Sequence, residues 1–96
     1  MNIGFNKKDG ELTVAIDGRL DTITAPELEG FLVNNYEGTN ALIFDCEKLV
    51  YISSAGLRVL LTAHKRMKGA MKLTGVSELV MEVLEMTGFA DVWEIE

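Results

Sequence analysis

The chain has one cysteine, one histidine, one proline and one tryptophan among 96 residues. A lone Cys46 forms no internal disulfide, which fits a reducing compartment. It reads as a small buried thiol at a strand end, because a reactive thiol needs a base beside it and His64 falls well along a helix. One Cys and one His also exclude the common zinc ligand sets, so no metal site is expected. No run approaches the ~20 apolar residues of a membrane helix. Residues 1–8 carry no apolar core of signal-peptide length. The expectation is a cytoplasmic protein with no membrane partner. Nine Lys and Arg face fifteen Asp and Glu, a net charge of −6, which argues against direct nucleic-acid binding. Phosphate-cradling motifs are missing as well: there is no G-x-x-x-x-G-K-[ST] and no G-x-G-x-x-G. Ile52 and Ser53 stand where a G-x-S-x-G elbow needs glycine. No cofactor and no catalytic residue is expected.

What is present is a 96-residue chain, the size of one domain, with 48% hydrophobic and 25% charged residues, a globular profile. Residues 3–7 read as a first strand and Asp9-Gly10 as a hairpin turn. Residues 11–17 alternate, with Leu12, Val14 and Ile16 on one face and Thr13, Ala15 and Asp17 on the other. Residues 18–21 form the exit. Thr24 and Glu27 have the spacing of a capping box, with Pro26 in the first turn. The helix they open is expected to reach about Tyr36, burying Ala25, Leu28, Leu32 and Tyr36 with Phe31 beside them, and Gly38 follows its end. Residues 41–45 are a strand, followed by a short polar connection and then Ser53 and Ser54. Leu57, Leu60, Leu61 and His64 form one face of the second helix, closed by Gly69. Residues 71–74 alternate as a strand. Ser77 caps a third helix with Leu79, Val80, Val83 and Leu84 inward and Gly88 at its end. Residues 90–95 are a last short strand. The five methionines look like core filler. Lys7 reads as an inert surface position far from the serines.

The order β-β-α-β-α-β-α-β indicates right-handed crossovers and a mostly parallel sheet with an antiparallel N-terminal strand. Strands with one polar face place the helices mainly on the other face. Between positions 58 and 72 stand five cations (Arg58, Lys65, Arg66, Lys68, Lys72) and no acid, leaving four basic against fifteen acidic residues elsewhere. Cations in the last turn of a helix complement its dipole, and an acidic partner surface is the competing account.

Ser53 and Ser54 lie at a helix start, where a serine oxygen caps the free N–H groups. The same position favours an anion, so a phosphate acceptor is the functional reading. A hydrolase using Ser54 lacks a base, since His64 is about three turns away, roughly 15 Å. Asp45 at a strand end is reminiscent of receiver-type phosphoacceptors, but the paired magnesium-binding acids of such domains have no counterpart here.

The segment Ile52-Ser53-Ser54-Ala55-Gly56-Leu57 resembles the signature of the STAS domain family, in particular the bacterial anti-sigma-factor antagonists. Residues 18–21 with 24–28, residues 41–49, and Met86-Thr87-Gly88-Phe89 agree with that resemblance, which covers essentially the whole chain. It implies a single STAS-like α/β domain over residues 1–96. The family segment typically reads Asp-Ser-(Ser/Thr)-Gly-Leu, with the residue after the Asp as phosphoacceptor. Alignment on Gly56-Leu57 puts Ser54 at the acceptor and Ser53 at the usual Asp, with Ser53 as second choice. The resemblance implies a non-enzymatic partner switch. The unmodified chain would bind an anti-sigma-factor serine kinase, and phosphorylation would release it. A PP2C-type phosphatase would reset the pair. The partner surface is expected to comprise Asp21, Thr22, Ile23, Ser53, Ser54, Ala55, Gly56 and Arg58. The alternative is a STAS adaptor or scaffold subunit, of lipid-transport or stressosome type, without phosphorylation.

Overall fold

Asp9 and Gly10 both have positive φ, 53° and 81°, the conformation that a two-residue hairpin turn demands and that the Asp-Gly pair supplies. They fold β1 (Asn2–Lys8) back on β2 (Glu11–Leu20). The strands pair antiparallel from Lys8 opposite Glu11 to Asn2 opposite Asp17. A computed structural model describes residues 1–96. After the hairpin come α1 (Ala25–Val33), β3 (Ala41–Asp45), β4 (Leu49–Ile52), α2 (Ser54–Arg66), β5 (Met71–Thr74) and α3 (Glu78–Thr87). A 3-10 turn (Phe89–Asp91) and β6 (Glu94–Ile95) close the chain. The sheet order is β1-β2-β3-β5-β6, with β4 also paired to β2. Only the β1–β2 pair is antiparallel.

Register explains the one-sided core. Leu12 lies opposite Leu42, and Leu42 opposite Met71; Val14 lies opposite Phe44, and Phe44 opposite Leu73. All of these side chains are buried. The alternate rows, Thr13–Ile43–Lys72 and Ala15–Asp45–Thr74, stay half-exposed. Because side chains alternate along a strand, one face carries the core under the helices and the other faces solvent, as the alternation predicts. Cys46 is fully buried at the end of β3. Burial, with Asp45 beside it, pushes its thiol up to about 12, so it holds no nucleophilic thiolate near neutral pH.

Several expectations are corrected. The segment after β3 is not only a polar connection. Residues 49–52 form a strand that pairs parallel with the far end of β2, past an irregularity between Gly18 and Arg19. Strand β2 therefore continues to Leu20 instead of ending at Asp17. Helix α1 stops at Val33, not near Tyr36. Two asparagines follow, and Asn35 Nδ2 donates to the carbonyl of Phe31 (2.7 Å), a side-chain bond that competes with continued helix. On α2 the buried residues are Gly56, Leu57, Val59, Leu60 and Ala63, while Leu61 and His64 are only half-buried. Contact with α1 along that flank turns the covered sector toward Val59 and Ala63. On α3, Val80 and Leu84 are buried, but Leu79 is exposed; the helix lies against the short β4, which covers only a narrow stripe. Residues 90–95 are not all strand, because the 3-10 turn lets Phe89 stack on buried Trp93, ring centroids 4.4 Å apart. Met67 and Met71 do fill the core, whereas Met86 is 80% exposed. Lys7 is not inert either. Its Nζ donates to the carbonyl of Glu37 at 2.6 Å, tying β1 to the loop after α1.

At Gly56 the α2 backbone comes close to the sheet. A Cβ there would lie 2.7 Å from Leu20 Cγ and 3.0 Å from the Leu20 carbonyl oxygen. Gly56→Ala must push the helix start away, at the ~1–3 kcal/mol typical of overpacking. For a domain of this size that is a fall in Tm of about 4–8 °C per kcal/mol. Thermal denaturation checks it, and an unchanged Tm would show that the contact is soft.

Candidate partner-binding site at the start of helix α2

The β4 strand decides where the two serines lie. Ile52 is the Cα partner of Leu20, and the N–H of Ser53 donates to the Leu20 carbonyl at 2.9 Å. The start of α2 is thereby locked beside the exit of β2. Ser53 is the N-cap residue. Its backbone is extended, and its hydroxyl accepts from the N–H of Gly56 at 3.4 Å. Ser54 is the first helical residue, exposed, with its hydroxyl free of intramolecular bonds. The two serines thus divide two tasks: one caps, the other faces solvent at the positive end of the helix.

The loop after β2 is held by Asp21, not by a capping box. Thr24 makes no side-chain bond to α1. Its hydroxyl donates to the Arg19 carbonyl (2.8 Å) and accepts from the N–H of Asp21 (2.9 Å). Asp21 Oδ1 accepts from the N–H groups of Ile23 (3.0 Å) and Thr24 (3.1 Å). These bonds favour the carboxylate. The Thr24 N–H is the main cause holding the Asp21 carboxyl below its ordinary value; partial burial works against it, and the Ile23 N–H, the Thr24 hydroxyl and Arg19 add to the lowering. The outcome is a tight loop that presents Ile23 with 86% of its surface exposed. A side chain left this exposed adds little to the core and is open to a partner.

The expected residues therefore gather in one region. Thr22, Ala55 and Arg58 line a shallow groove between α1 and α2, together with Pro26, Glu29 and Val59. Asp21 is partly exposed and braces the loop through its hydrogen bonds, whereas Gly56 is buried and shapes the region without forming its contact face. Two neighbours were missed. The Arg19 guanidinium lies 4.2 Å from the centroid of the Tyr51 ring and 3.7 Å from Asp21 Oδ2, which places a cation beside the loop. Tyr51 belongs to β4. The run Leu49-Val50-Tyr51-Ile52, with the strand-favouring Val50, Tyr51 and Ile52, was the available signal. His64 lies ten residues along α2 from Ser54, roughly 15 Å, and provides no base.

The STAS domain family model matches residues 2–96. The chain belongs to the STAS domain family. Among curated STAS relatives, BtrV of Bordetella bronchiseptica is 32% identical over 99% of this chain and 85% of its own length. The anti-sigma-B factor antagonist of Bacillus subtilis is 29% identical over 99% of this chain and 90% of its own length. The fold is also that of SpoIIAA of Bacillus, an anti-sigma factor antagonist. In its unphosphorylated form the TM-score is 0.76 at 12% identity, over 99% of this chain and 87% of that one. In its phosphorylated form the TM-score is 0.76 at 13% identity, over 99% and 91%. No helix of this STAS chain is long and apolar enough to cross a membrane.

Asp21 generates a pH prediction. A carboxyl whose folded value is depressed stabilises the fold above its unfolded value, ordinarily 3.8, and loses that contribution as pH falls through the folded value. Asp21→Asn keeps an acceptor but removes the charge. The parent should therefore melt above Asp21→Asn at pH 7, and the two curves should converge as the pH drops well below 3.8. A gap independent of pH would show that the charge plays no part in holding the loop.

Proposed function

We propose that this chain is an anti-sigma-factor antagonist that works as a partner switch, with Ser54 as its phosphoacceptor. The observation that carries the reading is the exposed, unbonded Ser54 hydroxyl at the first position of α2, next to the groove where Ala55 and Arg58 meet Thr22 of the Ile23 loop. Unphosphorylated, the chain binds an anti-sigma-factor serine kinase across the loop of Asp21, Thr22 and Ile23 and the start of α2, where Ser54, Ala55 and Arg58 lie. The kinase transfers the γ-phosphoryl group of ATP to Ser54 Oγ, releasing ADP, and the serine proton leaves to the kinase or solvent. A PP2C-type phosphatase returns the serine and inorganic phosphate. Family relatives named as antagonists, and a protein of this fold known in both phosphorylation states, support the reading.

Electrostatics explains how the switch works without refolding. Phosphate adds about −1.5 to −2 charges. At the N-terminus of α2 the free N–H groups and dipole accept that charge, so the domain itself is not disrupted. In a fitted interface the same charge must be desolvated and placed against the partner, which weakens the complex. The chain contributes geometry only; the kinase and phosphatase supply the chemistry.

Incubation with a purified anti-sigma serine kinase and Mg-ATP, read by intact mass, tests the acceptor. Ser54→Ala should abolish the mass gain, and Ser53→Ala should keep most of it. The reverse result moves the site to Ser53. No gain in the parent would leave a STAS adaptor that works without phosphorylation, the use to which the absence of the usual Asp at position 53 points.

Binding to the kinase is the second test. Ile23→Asp and Ser54→Asp should each weaken it more than tenfold, or ~1.4 kcal/mol, while melting within a few degrees of the parent. Normal binding by both variants would place the surface elsewhere.

A further inference from the structure

Along helix α2 the exposed Ser54, Arg58 and Lys65 and the half-buried Leu61 are spaced four, three and four residues apart so that they align. On the flank away from α1 lies a second groove, of about 300 Å³, lined by Ser54, Leu57, Arg58, Leu61, Thr87 and Phe89. Its floor is apolar: Leu57 is buried, and Leu61 and Phe89 are half-buried. Phe89 is braced by its stack on buried Trp93, so the floor is built into the core. Thr87 adds no free polar group, because its hydroxyl already donates to the Val83 carbonyl at 2.8 Å.

The rim has the opposite character. The chain's two ion pairs are Arg19–Asp21 and Lys72–Glu96, so Arg58 and Lys65 are cations without a carboxylate. Lys65 stands in the last turn of α2, where the dipole accounts for it. Arg58 stands in the second turn, where the dipole offers a cation nothing. An apolar floor with an unpaired guanidinium at its lip is complementary to an apolar side chain followed by an acid.

We propose that this groove is the second half of the kinase-docking surface and receives an apolar side chain of the kinase, flanked by a carboxylate that pairs with Arg58. This rests on the partner-switch reading and extends it to the partner's chemistry. It also gives the phosphate a specific action. Ser54 sits at the mouth of the groove, one turn before Arg58. A phosphoryl group there takes the guanidinium for itself, as phosphate oxygens and Arg form strong charge-assisted bonds, and repels the incoming acid. Phosphorylation then removes the ionic half of the contact while the apolar floor is unchanged.

The test measures association and dissociation of the purified kinase with the parent, Leu61→Gln, Arg58→Glu, Ile23→Asp and the open-face control Asn6→Asp, at low and high salt. Leu61→Gln should weaken binding about tenfold through faster dissociation. Arg58→Glu should weaken it at least as much through slower association, with a flatter salt dependence. Asn6→Asp should bind as the parent does. If Leu61→Gln melts early, Thr87→Glu, a change at an exposed position on the opposite wall of the groove, takes its place and should weaken binding by a similar factor. Parent-like binding by Leu61→Gln and Arg58→Glu, with Ile23→Asp weakened, overturns the groove proposal and leaves the switch intact. Weak binding by the groove variants with Ile23→Asp normal supports the groove and overturns the loop surface. A parent that does not bind the kinase overturns both.

Discussion

The seat of α2 on the second and fourth strands fixes most of what this molecule can do. Gly56 allows the helix start to descend onto Leu20 and Ile52, and the Ser53 N–H closes the contact on the Leu20 carbonyl. That single junction sets the height and direction of the helix. It puts Ser53 where its oxygen meets an orphan N–H, and it leaves Ser54 one position further on, facing water. A serine one or two residues along the helix would lie on a different face; a helix seated higher would detach the serines from the loop after β2.

The loop and the helix start are built by different means. The helix start depends on close contact between backbone and apolar side chains, which is insensitive to pH and salt. The loop depends on an ionised carboxylate accepting backbone N–H groups. Each suits its part. An exposed side chain such as Ile23 would cost conformational entropy if a partner had to order it, and the Asp21 bonds order its backbone beforehand. The proposed acceptor would have to be reachable by another protein's active site, and the unbonded Ser54 hydroxyl at a helix terminus would meet that need.

Charge has a similar division. The chain is acidic overall, yet the cations of α2 are gathered on one element and left without carboxylates. A uniformly acidic surface would repel an acidic partner and make added phosphate redundant. A cationic stripe on an acidic body makes the local sign at the helix start reversible by a single modification. The one-sided core contributes as well, because all helices share one face of the sheet and the two grooves flanking α2 lie on that same side.

The sequence by itself determined the three helices and the strands between them apart from β4, the parallel sheet, the single covered face and the serine at the start of the second helix. These rest on periodicity and on short-range rules of turns and caps, which local residue identity controls. The Ser53 cap was legible for the same reason. The Thr24 cap was not, because Thr24 had a better partner in the Arg19 carbonyl and in Asp21, available only once β2 ran on to Leu20. The fourth strand was hidden because four residues carry little periodicity, and only its pairing with the far end of β2 makes it a strand. The neighbourhood of Arg19 and Tyr51, the groove between α2 and Phe89, and the exposure of Leu79 and Met86 were likewise decided by tertiary structure. Each depends on which faces come to oppose one another when distant segments meet, and that distance is not written in any local window of the chain.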